Sequence, residues 1–100
     1  MSRKVVLSKR AEKKLASLFD FLTEKWSEKI KHDFIQKLDK RIEAIKNKPE
    51  SFPESEIQKG LFKCVITKQT TLYYRFTSRQ IQIVTIFDSR QNPEKLKKDL

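Results

Sequence analysis

Apolar residues recur at intervals of three and four from Ala11 to Trp26, through Leu15, Leu18, Phe19 and Leu22, while Lys9, Arg10, Lys13, Glu24 and Lys25 fall mostly outside that stripe. This periodicity predicts a helix with one buried side, and Ser8 stands where an N-cap hydroxyl would accept from a first-turn N–H. A second stripe runs through Ile30, Phe34, Leu38, Ile42 and Ile45 and stops at Pro49, with Ser27 as its N-cap and Glu28 in the first turn. Two helices joined by almost no loop must fold back on each other as an antiparallel hairpin. Residues 47–60 contain Pro49, Pro53 and Gly60 and read as an ordered surface loop.

After Gly60 the period becomes two. Phe62, Cys64 and Ile66 alternate with Lys63 and Val65; Leu72, Tyr74 and Phe76 alternate with Thr71, Tyr73, Arg75 and Thr77; Ile81, Ile83 and Thr85 alternate with Gln82, Val84 and Ile86. Short connections at Thr67–Thr70 and Ser78–Arg79 make these a three-stranded antiparallel meander. The last strand is apolar on both sides, which predicts an interior position, and the β-branched segment Lys4–Leu7 can pair beside it to complete a four-stranded sheet. Pro93 is placed to open a short C-terminal helix or tail. The fold class expected is α+β, with residues 1–100 as a single domain and the helical hairpin on one face of the sheet.

Composition narrows the function. The net charge is +10, with +7 in residues 1–48 and +3 in residues 49–100, so both halves attract polyanions: RNA, DNA, an anionic membrane or an acidic protein segment. No apolar run reaches the roughly 18 residues that span a bilayer, and Val5-Val6-Leu7 is too short for a signal peptide. A cytoplasmic protein without a membrane partner is expected. Cys64 is the only cysteine and His32 the only histidine, which leaves no disulfide, no nucleophilic dyad or triad and no metal-ligand spacing; no glycine pattern cradles a nucleotide. No cofactor or metal is expected.

If there is catalysis, it must come from Lys, Arg and Tyr. Lys63, Tyr73 and Arg75 share the parity opposite to the core positions, and Arg90 follows directly after the last strand. Such a group can neutralise phosphates, stack a base or receive an acidic amphipathic peptide, or it can stand as ordinary solvated side chains on an exposed sheet face. In an RNA-cleaving reading these residues would hold the scissile phosphate and stabilise its developing charge, making a metal-independent endoribonuclease.

The order of strand, helical hairpin, proline loop and meander resembles the RelE/ParE superfamily of type II toxins. Val6-Leu7-Ser8 followed by Ala11, Trp26 at the end of the first helix, Asn47-Lys48-Pro49, Gly60-Leu61-Phe62-Lys63, Tyr74 and Phe87-Asp88-Ser89-Arg90-Gln91-Asn92-Pro93-Glu94-Lys95-Leu96 carry the resemblance over nearly the whole chain. It implies a growth-arresting toxin restrained by a cognate antitoxin in a toxin–antitoxin hetero-oligomer, acting on DNA gyrase in ParE-like members or on ribosome-bound mRNA in RelE-like members. Lys63 and Arg90 resemble two of the basic residues that RelE-like cleavage uses, but Val65, Thr71 and Leu96 stand where further basic groups and a terminal Tyr would be. Gyrase inhibition, which needs no cleavage residues, is therefore the leading expectation, mRNA cleavage the alternative, and a non-toxic nucleic-acid- or antitoxin-binding module the third. In the first and third readings Lys63, Tyr73, Arg75 and Arg90 contact target or antitoxin.

Overall fold

The computed structural model describes residues 3–89. The elements run β1 (Lys4–Leu7), α1 (Lys9–Lys25), α2 (Glu28–Asn47), a 3₁₀ turn at Pro49–Ser51, β2 (Phe62–Val65), β3 (Thr70–Phe76) and β4 (Gln80–Asp88). The sheet order is β1-β4-β3-β2, with β1 parallel to β4 and the other neighbours antiparallel. The α+β class, the helical hairpin, the meander and the interior position of the last strand all follow the sequence pattern. The C-terminal helix expected at Pro93 lies outside the described residues.

Both helices start as the sequence predicts. The Ser8 hydroxyl accepts from Ala11 N–H at 3.0 Å, and the Ser27 hydroxyl accepts from Ile30 N–H at 3.2 Å. Leu18 and Leu22 of α1 and Phe34, Leu38 and Ile45 of α2 pack on Cys64, Leu72, Tyr74, Ile81, Ile83 and Ile86 of the sheet. Phe19 meets Phe34 edge-on at 6.2 Å between ring centres, joining the two helices directly. The stripe ends at the reversal. Trp26 is 58% exposed and Ile30 42%, because Trp26 has already left helical geometry and Ile30 sits in the first turn beside it.

Another departure from the expected pattern is in β4. Tyr73 pairs with Thr85 but Tyr74 pairs with Ile83, so Val84 is an extra residue and the strand bulges there. The bulge shifts the alternation by one. Ile86 joins Ile81 and Ile83 under the helices, and Thr85, expected with them, falls on the opposite face beside Val84. Ser8 secures this irregularity from the start of α1: its N–H donates to the Ile83 carbonyl at 3.0 Å and its hydroxyl donates to the Val84 carbonyl at 2.7 Å.

Tyr74 ties the loop to the sheet. Its phenol donates to the Pro49 carbonyl at 2.6 Å, and its ring lies against Phe52, Phe62 and Phe76 at 6.4, 5.8 and 6.3 Å. At the same C-terminal end of α2, the Arg3 guanidinium donates to the Lys46 and Thr77 carbonyls and lies 5.9 Å from the Phe76 ring. A cation over the last helical carbonyls complements the negative end of the helix.

The double duty of Ser8 gives a direct test. Ser8→Ala removes the α1 cap and leaves the bulge carbonyl of Val84 unpaired, so unfolding stability should fall by about 1–3 kcal/mol. Urea denaturation should show a lower midpoint at unchanged slope; an unchanged midpoint would mean that the hydroxyl does not hold the bulge.

Candidate binding face of the sheet

The helices occupy one face of the sheet, and the register places Lys63, Tyr73 and Arg75 together on the other. Lys63 lies directly opposite Tyr73 across β2 and β3, and Arg75 follows two residues on along β3. Arg90 lies outside the described residues. Three of the expected residues are thus brought to one surface, but they are not equally available.

Tyr73 is buried, 6% exposed, in a second apolar cluster with Leu61, against which Val84 and Phe87 pack. Its ring is therefore a packing element rather than an open stacking platform. Arg75 is occupied in another way. One guanidinium nitrogen donates to the Lys59 carbonyl at 3.4 Å, another donates to the Gln58 side-chain oxygen, and the arm thereby holds the 58–60 segment against the sheet. The segment turns at Gly60, whose φ of +78° favours glycine, and a Cβ there would meet Arg75 at 3.4 Å. Glu54 closes the loop by accepting the Gly60 N–H at 2.5 Å.

Lys63 is half-buried, and no ion pair or side-chain hydrogen bond engages its ammonium among the described residues. Its backbone N–H donates to Pro53, which brings residues 53–55 alongside the start of β2. Pro53 has no N–H to return, so that pairing stops there and Val65 farther along is 55% exposed. The face thus presents a cationic arm beside apolar surface, a combination suited to binding.

Thr85 is fully buried on this side, and its hydroxyl has no hydrogen-bond partner among the described residues. Burial pushes the Tyr73 phenol above the ordinary tyrosine range, and it pushes the Tyr74 phenol up further, with Cys64 and Glu50 adding to the effect. The Cys64 thiol is likewise raised by burial, partly offset by Arg41, and behaves as a small core residue. His32 lies exposed on α2, 3.2 Å from the Gln36 amide, away from the sheet face. No group of three or more His, Cys, Asp or Glu side chains among the described residues is arranged to hold a metal ion.

Sequence reasoning missed Gln58 and Lys59 as the groups that occupy Arg75, since nothing in a polar loop announces which strand residue it will meet. It missed the burial of Tyr73 because the bulge, which brings Val84 and Thr85 to the same side, interrupts an otherwise regular alternation.

A family model described as the ParE toxin of type II toxin–antitoxin system, parDE, matches residues 5–93. The chain belongs to this family of toxins. It is the toxin component of a type II toxin–antitoxin system. The ParE-type fold is also evident in solved structures. The chromosomal ParDE toxin–antitoxin system from P. aeruginosa aligns with a TM-score of 0.70 at 13% identity, covering 87% of this chain and 96% of that one. The E. coli DinJ–YafQ toxin–antitoxin complex gives 0.61 at 12% identity, covering 90% and 96%. A YoeB/ParE toxin from Agrobacterium tumefaciens gives 0.59 at 15%, covering 85% and 97%. At these identities the likeness is one of fold. Comparison with curated protein sequences gave no match.

Two outcomes are expected from this face. Thr85→Val removes an unpaired buried hydroxyl at nearly constant volume and should stabilise the chain by about 1 kcal/mol, seen as a higher Tm; a lower Tm would show that the hydroxyl has a partner. Above pH 10 the unfolded tyrosines ionise while Tyr73 and Tyr74, both raised, stay protonated, so the unfolded state gives up protons first and stability falls as pH rises. Alkaline denaturation should be shallower in Tyr73→Phe than in the parent chain; equal slopes would place Tyr73 in solvent.

Proposed function

We propose that this toxin arrests growth by binding DNA gyrase, and that a cognate antitoxin restrains it in a toxin–antitoxin hetero-oligomer. The observation that carries the reading is the use to which the candidate residues are put: Tyr73 is packed into an apolar cluster and Arg75 is bonded to the 58–60 segment. Phosphoryl chemistry on RNA needs cationic and proton-transferring groups aimed at one reacting centre. Here Lys63 lies beside two residues already engaged in holding the fold. Binding makes a lighter demand, and a cation flanked by exposed apolar surface at Val65 meets it. The match to the ParE family over residues 5–93 supports the same choice.

The net charge of +10 assists encounter with gyrase on DNA or with an acidic antitoxin, and its effect should weaken as salt rises. Both proposed partners place the action in the cytoplasm. No helix among the described residues is long and apolar enough to cross a membrane.

Purified toxin should inhibit gyrase supercoiling and trap gyrase–DNA cleavage complexes, and it should leave mRNA on programmed ribosomes intact. Lys63→Glu should weaken that inhibition by about tenfold or more with unchanged thermal stability. Cleaved message together with unaffected supercoiling would replace this reading with the RelE-like one, and activity in neither assay with normal growth on expression would leave a binding module without toxicity.

A further inference from the structure

The open face of the sheet changes character along its length. Around Tyr73 it is apolar, with Leu61, Val84 and Phe87 gathered there. Toward the β3–β4 turn it becomes polar, because the register sets Gln82 beside Arg75 and Lys4 beside Gln80, and residues directly opposite each other share a face. A hollow of about 230 Å³ opens here among Arg75, Phe76, Thr77, Gln80 and Gln82. It lies at the start of β4, whereas Asp88 closes the far end of that strand.

We propose that this hollow receives an unpaired base of single-stranded DNA, with Gln80, Gln82 and Arg75 bonding to the edge of the base and Lys4 and Arg79 meeting the adjoining phosphates. The choice of DNA rests on the gyrase reading above; the hollow and the base do not. The lining has hydrogen-bonding capacity that the fold leaves idle. The exposed Gln80 and Gln82 side chains make no hydrogen bond among the described residues. Arg75 spends one donor on Lys59 and one on Gln58, which fixes the guanidinium, and its fork has further N–H groups to offer. The mouth is also held still. The Thr77 hydroxyl accepts from the Arg79 and Gln80 N–H groups, each at 3.2 Å, and the Thr77 N–H donates to the Gln80 carbonyl at 2.9 Å.

Charge and shape together select the occupant. Asp88 is the only acidic residue in the four strands, and Glu54, on the loop that Arg75 holds, has its carboxylate bonded to the Gly60 N–H. Lys4 and Arg79 are exposed at the hairpin end and suit phosphates. A concave site takes a group that projects from its chain, and a base projects once it is unpaired and out of the stack. The hollow is smaller than the range of about 300–1,000 Å³ that holds drug-sized ligands, so it suits one ring system and not a folded chain. A carboxamide sets a donor beside an acceptor, which matches the edge of adenine, and a guanidinium offers the paired donors that guanine accepts. An acidic peptide brings carboxylates that only accept; these would serve Arg75 and leave the carboxamide oxygens of Gln80 and Gln82 unmatched.

Fluorescence anisotropy with the full toxin tests this, using strands of about 8 nucleotides, within the span of roughly 4–16 that one single-strand-binding domain covers. An abasic deoxyribose strand carrying one central adenine or guanine should bind at least about tenfold more tightly than the wholly abasic strand. Gln80→Ala/Gln82→Ala should erase that ratio and leave the affinity for the abasic strand unchanged. Lys4→Ala/Arg79→Ala should weaken both strands alike and flatten the dependence of log affinity on log salt by about 1. All four positions are exposed, so circular dichroism should show an unchanged fold. The proposal is overturned if the added base brings no gain, if the glutamine variant keeps the ratio, or if the ribose counterpart binds more tightly than the DNA strand. It is equally overturned if poly-glutamate displaces the strand and loses affinity in the glutamine variant, which would assign the hollow to protein. Binding is read without gyrase, so failed inhibition of supercoiling would overturn the target reading and leave the base-dependent binding standing.

Discussion

Every layer of this toxin depends on β4. It is hydrogen-bonded on both sides, to β1 in parallel and to β3 antiparallel, and it carries side chains that are buried on both faces of the sheet. A strand in that position cannot shift register without moving both faces. The parallel pairing with β1 also sets the route of the chain, because parallel neighbours cannot be joined by a tight turn and some crossing structure must lie between them. The helical hairpin starts directly from the end of β1, and α1 lies over β4 as a consequence.

The bulge at Val84 is how one strand serves two apolar clusters. Before it, Ile81 and Ile83 face the helices; after it, Ile86 does so too, although strict alternation would have turned it away. The irregularity leaves backbone groups that the sheet ladder cannot satisfy, and Ser8 supplies the missing partner at the point where α1 begins. Helix start and strand irregularity are therefore one local structure, joined through the Ser8 hydroxyl.

How far this was legible follows from the range of each interaction. The two N-caps, the helical stripes and the strand alternations are local patterns within about a dozen residues, and they appear in the structure where the sequence placed them, except beyond the bulge in β4 and at Trp26 and Ile30 around the helix reversal. The partners of Arg75 are 16 and 17 residues away in a loop whose path depends on Gly60 and Glu54 together. Nothing in Lys59 or Gln58 marks them in advance. The fate of Tyr73 was unreadable for a related reason, since a one-residue bulge on the neighbouring strand decides which side chains gather around it. Sequence parity grouped Lys63, Tyr73 and Arg75 on one face; only packing decided that Tyr73 would be buried, that Arg75 would be bonded to the 58–60 segment, and that the Lys63 ammonium would have no side-chain partner among the described residues.

The charge of the molecule and the shape of its surfaces answer different questions. A net +10 spread over both halves draws in any polyanion at a distance and favours none, because the field beyond a Debye length carries sign and little detail. Discrimination starts where a cation abuts apolar surface, since a partner must then offer charge and grease at fixed separation, and most polyanions cannot. Lys63 beside Val65 on the sheet, and Lys37 on α2 between one hollow lined by Phe34 and another lined by Ile66, are both junctions of that kind. They lie on opposite sides of the sheet, so a partner seated on one need not compete for the atoms of the other.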